Sequence, residues 1–147
     1  MKRTWMAGMV TAGLLAGAAG RAADDAPAFR TIEADGAKRA EVRLEAIPYK
    51  PYVRQLWSPA GAGVLDDSPP DHFHHHGLML GLGAGDADFW SEKGFEKAGR
   101  QAADPAQPPQ VADGRIEEGL VWTGYDGAIL LREKRSVRFG AAPGPAP

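Results

Sequence analysis

Cysteine is absent from the chain. Its absence excludes a disulfide framework, thiolate metal sites, cysteine nucleophiles and a lipid-modified cysteine anchor. Any fold must therefore rest on its apolar core alone. A basic patch is also missing: 17 Lys and Arg against 19 Asp and Glu leave a net charge of −2. Without clustered cations to neutralise phosphates, nucleic acid is not an expected partner. No apolar run reaches the ~20 residues that a bilayer core demands. The nearest is the Gly- and Ala-rich stretch from Met6 to Gly20, which follows Lys2 and Arg3 and leads to Ala22 and Ala23. That pattern reads as a secretory signal peptide over residues 1–22. It predicts an exported protein, periplasmic or extracellular, with no membrane span after cleavage. Three basic residues lie in that segment, so cleavage takes the formal charge from −2 to −5.

Residues 23–28 read as a flexible leader and residues 140–147, rich in Pro, Gly and Ala, as a disordered tail. Between them, residues 29–139 carry β-patterning. From Phe29 to Ala46 the chain is strand-like, with Ala40, Val42, Leu44 and Ala46 alternating with Arg39, Glu41, Arg43 and Glu45. This is the period of a sheet with one wet face. Tyr52 to Trp57 resumes as a short strand after Pro48 and Pro51. Leu78 to Leu82 reads as a buried strand with its three leucines on one face. Residues 98–114 lack apolar periodicity and predict the longest loop. Leu120–Tyr125 and Ala128–Phe139 flank Asp126-Gly127, a preferred hairpin turn. Within the second of these, Ile129, Leu131, Val137 and Phe139 share a face that Glu133 and Arg135 interrupt, which marks a rim or a paired position. Short strands with Gly/Pro turns and no convincing helix predict an all-β, antiparallel β-sandwich.

Histidine is missing from the whole chain except one window, where all four occur: Asp71-His72-Phe73-His74-His75-His76-Gly77-Leu78. Imidazole is the commonest metal ligand and the side chain that titrates nearest neutral pH. If the segment is extended, His72, His74 and His76 share a face and can converge on a divalent transition metal. If it is a tight loop after Pro69-Pro70, Asp71 can join two of the histidines. Without metal, Asp71 can orient an imidazole such as His75 as general acid or base. The plain alternative is a solvated polar loop. Arg54, with Lys50, is a candidate for an anionic substrate group. Trp57, Phe89 and Trp90 are candidates for an aromatic platform under a sugar, and Asp86, Asp88 and Glu92 for supporting carboxylates.

These residues carry a resemblance. The ordered motifs Lys50-Pro51-Tyr52-Val53-Arg54, Ser58-Pro59-Ala60-Gly61, Asp71 to Leu78, Asp88-Phe89-Trp90 and the strand from Glu133 to Phe139 resemble a bacterial family. It is labelled "methane oxygenase PmoA" or, more cautiously, a domain of unknown function. Gln55 stands near a position where that family often has proline or histidine. The resemblance covers roughly residues 40–139 and implies an exported β-sandwich protein, with a carbohydrate or other small polar molecule as ligand. Members of the family are considerably longer, so it also implies a sandwich left incomplete here by a truncated C-terminus.

Two functional expectations follow. One is a histidine-dependent, metal-binding, enzyme-like protein in which His72, His74 and His76 hold the ion, Asp71 and His75 serve catalysis, and Arg54, Trp57 and Trp90 meet the substrate. The other is a non-catalytic carbohydrate-binding module, or a fragment without activity of its own.

Overall fold

The computed structural model describes residues 29–44 and 48–140. The signal peptide, the leader, Ala46 and nearly all of the tail lie outside them. Among the described residues there are nine strands and no helix. All strand pairs are antiparallel. The all-β, antiparallel expectation is met.

The alternating stretch after Phe29 is two strands rather than one: β1 (Arg30–Ala34) and β2 (Ala37–Arg43). Asp35 and Gly36 separate them with φ of 54° and 70°. Two successive left-handed residues make the tight turn whose twist matches a hairpin, and Asp-Gly is a favoured pair for it. β2 pairs in turn with β3 (Tyr52–Leu56), completing a three-stranded sheet. After β3, the Gln55 side chain organises the next loop. Its Oε1 accepts from the backbone N–H groups of Val64 and Leu65, and its Nε2 donates to the Leu65 carbonyl.

A small hairpin follows, β4 (Gly83–Ala84) with β5 (Ala87–Asp88). The larger sheet contains β6 (Arg100–Ala103), β7 (Gln110–Ala112), β8 (Arg115–Thr123) and β9 (Ile129–Arg138). β8 is its centre: β6 and β7 share one edge of it and β9 takes the other.

The core has two parts. Ile32, Ala40, Val42 and Val53 of the first sheet, with Leu44 just past β2, pack with Ile116 of the second and with Phe139 just past β9. Ala87 and Phe89 of the small hairpin pack with Leu120 and Trp122. Each part buries apolar area between layers, which is the main favourable term in folding.

Three local expectations are corrected. Residues 98–114 are not one loop, because β6 and β7 lie within them. Both strands are short, and of β6 only Gln101 is buried, so apolar alternation could not reveal them. Leu78 to Leu82 is not a buried strand. Its one ladder contact is Val53↔Leu78, and Leu78, Leu80 and Leu82 are 53%, 47% and 41% exposed. Finally, Ile129 is exposed, because the β8–β9 register slips between Trp122 and Thr123 and turns it out of the face shared by Leu131 and Val137.

Candidate functional site

The histidine segment hangs between two anchors. At its far end, Leu78 exchanges both backbone hydrogen bonds with Val53 of β3, each 2.9 Å. Within it, His72 N–H donates to the Pro69 carbonyl, and His75 N–H to that of His72. These successive turns make the segment a tight loop, the second of the two conformations considered from sequence. Gly77 permits the approach to β3: a Cβ there would lie 2.6 Å from the Val53 carbonyl oxygen and 2.7 Å from that of Arg54. Both obstacles are backbone, so neither can step aside.

Folding the loop this way splits the four imidazoles into two environments. His76 goes inward. Its ring stacks on Tyr52 at 3.9 Å with 12° between planes. Nε2 lies 2.9 Å from Glu92 Oε1, and Nδ1 lies 3.0 Å from both Asp67 Oδ1 and Ser68 Oγ. Carboxylates can only accept, so the ring donates from both nitrogens as an imidazolium. Burial alone would lower its pKa, but the hydrogen bonds to Glu92 and Asp67 outweigh that and raise it. Ser68 adopts φ of 57°, unusual for a residue with a side chain, and its hydroxyl donates to Asp67.

The charges continue on either side. Glu92 Oε1 is 3.4 Å from Lys50 Nζ, whose ammonium also donates to the Trp90 carbonyl at 2.6 Å. Lys50 is almost wholly buried, and that burial lowers its pKa against the pull of Glu92. On the other side, Arg54 Nε faces Asp67 Oδ2 at 3.6 Å and its Nη1 faces Glu41 at 3.3 Å. Lys50, Glu92, His76, Asp67, Arg54 and Glu41 thus alternate in sign. Such a network adds little net stability when complete, but losing one member strands the others.

His72, His74 and His75 stay at the surface together. The His75 ring centroid is 4.7 Å from that of His72 and 4.5 Å from that of His74; His72 and His74 are 6.2 Å apart. Asp71 Oδ2 lies 3.1 Å from His72 Nδ1. The Asp71 backbone N–H and the His72 imidazole hold this carboxyl below its ordinary pKa. His75 is pushed below its usual value, first by partial desolvation and then by its neighbours His74 and His72. Its ring meets Trp90 edge-on at 5.5 Å, and that of His74 meets Phe95 at 5.3 Å. His74 Nδ1 is buried and has no hydrogen-bond partner.

The structure therefore brings His72, His74, His75, Asp71 and Trp90 together and sets His76 apart. Arg54 and Trp57 belong elsewhere, in a pocket of about 350 Å³ that also includes Glu41, Asp66 and Asp67. Lys38 Nζ sits 3.8 Å above the Trp57 ring. Phe89 is in the core against Trp122, so Trp57, Phe89 and Trp90 do not form one platform. Among the described residues, no group of three or more His, Asp or Glu side chains forms a ready-made metal cage.

Sequence reasoning noticed Lys50 and Glu92 without their connection, and read Asp67 and Ser68 only as a chain breaker. The available signal was the pair of carboxylates at Asp66-Asp67, placed before Pro69-Pro70 in a segment bound to fold back on the histidines.

No curated protein and no solved structure matches the chain. Residues 31–145 match a family model over a span that contains the histidine loop, Lys50, Asp67 and Glu92. The chain belongs to that family, a family of unknown function designated DUF6807.

Proposed function

We propose that this is an exported, histidine-dependent domain that binds a small polar molecule of the carbohydrate class at the surface patch of His72, His75 and Trp90. The observation that carries the reading is the division of labour in the loop: His76 is consumed by Asp67 and Glu92, whereas His72 and His75 remain accessible beside an exposed tryptophan. Asp71 occupies Nδ1 of His72, which leaves Nε2 to face a ligand hydroxyl as acceptor or, when protonated, as donor. His75, its pKa lowered, is neutral at pH 7 and suited to take a proton. The Trp90 ring offers an apolar face of the kind on which a sugar ring packs.

The orphaned Nδ1 of His74 favours a second reading, in which the same patch holds a divalent transition metal. Metal–nitrogen bonds of ~2.0 Å in a tetrahedral shell place imidazole centroids about 5 Å apart. The observed separations of 4.5, 4.7 and 6.2 Å bracket that spacing. On this reading His72, His74 and His75 turn their nitrogens toward one ion, and a bound ion would polarise a ligand oxygen or activate water.

Tryptophan fluorescence and calorimetry on tag-free protein, with a panel of monosaccharides and with zinc, test both. Saturable sugar binding that is lost in Trp90→Ala and His75→Ala is expected, and no saturable binding of any sugar would contradict the first reading. Stoichiometric zinc uptake lost in His74→Ala would establish the second, and zinc uptake unchanged in that variant would reject it.

A further inference from the structure

Beside the histidine loop, and sharing Tyr52 and Leu78 with it, the two sheets part along an apolar groove of about 380 Å³. Val42 and Tyr52 line one wall, Val137 and Phe139 the other, and the exposed Leu78 and Leu80 form its lip. At its floor are Glu118, Glu133 and Arg135. Arg135 is committed to Glu133, with its Nε and Nη2 at 2.7 and 3.0 Å from the two carboxylate oxygens. It reaches Glu118 Oε1 at 3.7 Å. Glu118 Oε2 is buried and has no hydrogen-bond partner.

The groove runs beside a second unfinished feature. β9, ten residues long, pairs only with β8, so its outer edge has no strand partner among the described residues. A long open edge is a template for another strand. The face of β9 turned away from the groove carries Arg132, Lys134 and Arg138, all exposed. Arg132 meets Asp104 at 2.7 Å; Lys134 and Arg138 have no acidic partner among the described residues.

We propose that β9 is a docking edge for an extended polypeptide segment in which apolar and acidic residues alternate. Its backbone would continue the ladder at β9 while its apolar side chains fill the groove between Leu78, Leu80 and Val137. Its acidic side chains would lie beside Lys134 and Arg138 on the other face, and one inward side chain would donate a hydrogen bond to Glu118 Oε2. This is strand addition, in which the backbone supplies affinity and the alternate side chains supply specificity. Charge decides against a second copy of this chain as occupant. Two β9 strands side by side would set Arg132, Lys134 and Arg138 against their own kind, and like charges across strands are destabilising.

The probe is a capped eight-residue peptide alternating valine and glutamate, titrated into the full chain and followed by anisotropy and by hydrogen exchange of the β9 amides. The proposal expects saturable binding with new protection along β9. It expects binding about tenfold weaker when lysine replaces the glutamates, or in the double variant Lys134→Glu, Arg138→Glu. Threonine in place of one central valine should tighten binding to the native chain but not to Glu118→Gln. Equal affinity for the acidic and basic peptides, or binding without protection of β9, would overturn it. So would protection of β9 in the absence of peptide that rises with protein concentration, which would mark a second copy as the occupant.

Discussion

His76 and His75 are adjacent in sequence and opposite in circumstance. His76 is enclosed by Asp67, Glu92, Ser68 and Tyr52, and its pKa is raised. His75 sits among other imidazoles beside Trp90, and its pKa is lowered. The residue type is the same; the role follows from which neighbours the turns at Pro69 and His72 deliver. A histidine-rich motif therefore need not be one site. Here one imidazole is held on both ring nitrogens by carboxylates, while the other three cluster with one another beside Trp90 and Phe95.

The largest expected effect comes from emptying the cage. His76→Ala leaves Glu92 and Asp67 without their shared cation, and removing one member of a buried charged network costs about 3–5 kcal/mol. Urea unfolding would measure it, and a loss as small as that of a surface substitution would erase the distinction between the two environments.

Glu118 sharpens the contrast from the other side, as a buried carboxylate whose nearest cation, Arg135, is hydrogen-bonded to Glu133 instead. Burial pushes its pKa up from 4.5 to about 7, only partly offset by Arg135. A raised carboxylate pKa means that the folded state holds the proton more tightly than the unfolded one. Stability should thus fall as pH rises from 4.5 to about 7, by about 3 kcal/mol at most. Glu118→Gln should flatten that slope in denaturant melts. His76 adds a second decline of the same sign: its stabilisation is complete below the ordinary value of about 6.5 and is lost as pH climbs through its raised pKa. A residual slope above neutrality in Glu118→Gln, absent once His76→Gln is added, would separate the two.

Gly77→Ala attacks the comparison through the backbone. Its Cβ would collide with two β3 carbonyl oxygens, and forced overpacking of this kind costs about 1–3 kcal/mol. The variant should loosen the whole loop and weaken ligand binding at His75 together with the cage at His76. The smallest stability effect belongs to His72→Ala, which should lie within about 0.5 kcal/mol of the native chain. It should nonetheless abolish ligand binding, and intact binding would remove His72 from the site.

Much of the fold was legible because alternation and turn chemistry act locally. β2, β3 and the β8–β9 hairpin follow from period-two patterning and from Asp126-Gly127. The reading of Glu133 and Arg135 as a paired position holds, since they bind each other. β6 and β7 were hidden because each is short and presents little apolar surface. The exposed leucines of 78–82 misled because alternation reports a shared face without reporting what covers it. The cage was illegible for a different reason. Its members come from Lys50, Asp67, His76 and Glu92, and only the fold determines that they meet.

The most direct test of the account is an NMR titration of the imidazole nitrogens. It predicts that the His76 midpoint lies above the ordinary value of about 6.5 and the His75 midpoint below it, with both His76 N–H protons protected from exchange. Coincident midpoints, or the reverse order, would contradict the division of this motif into an enclosed, ion-paired imidazole and a surface cluster.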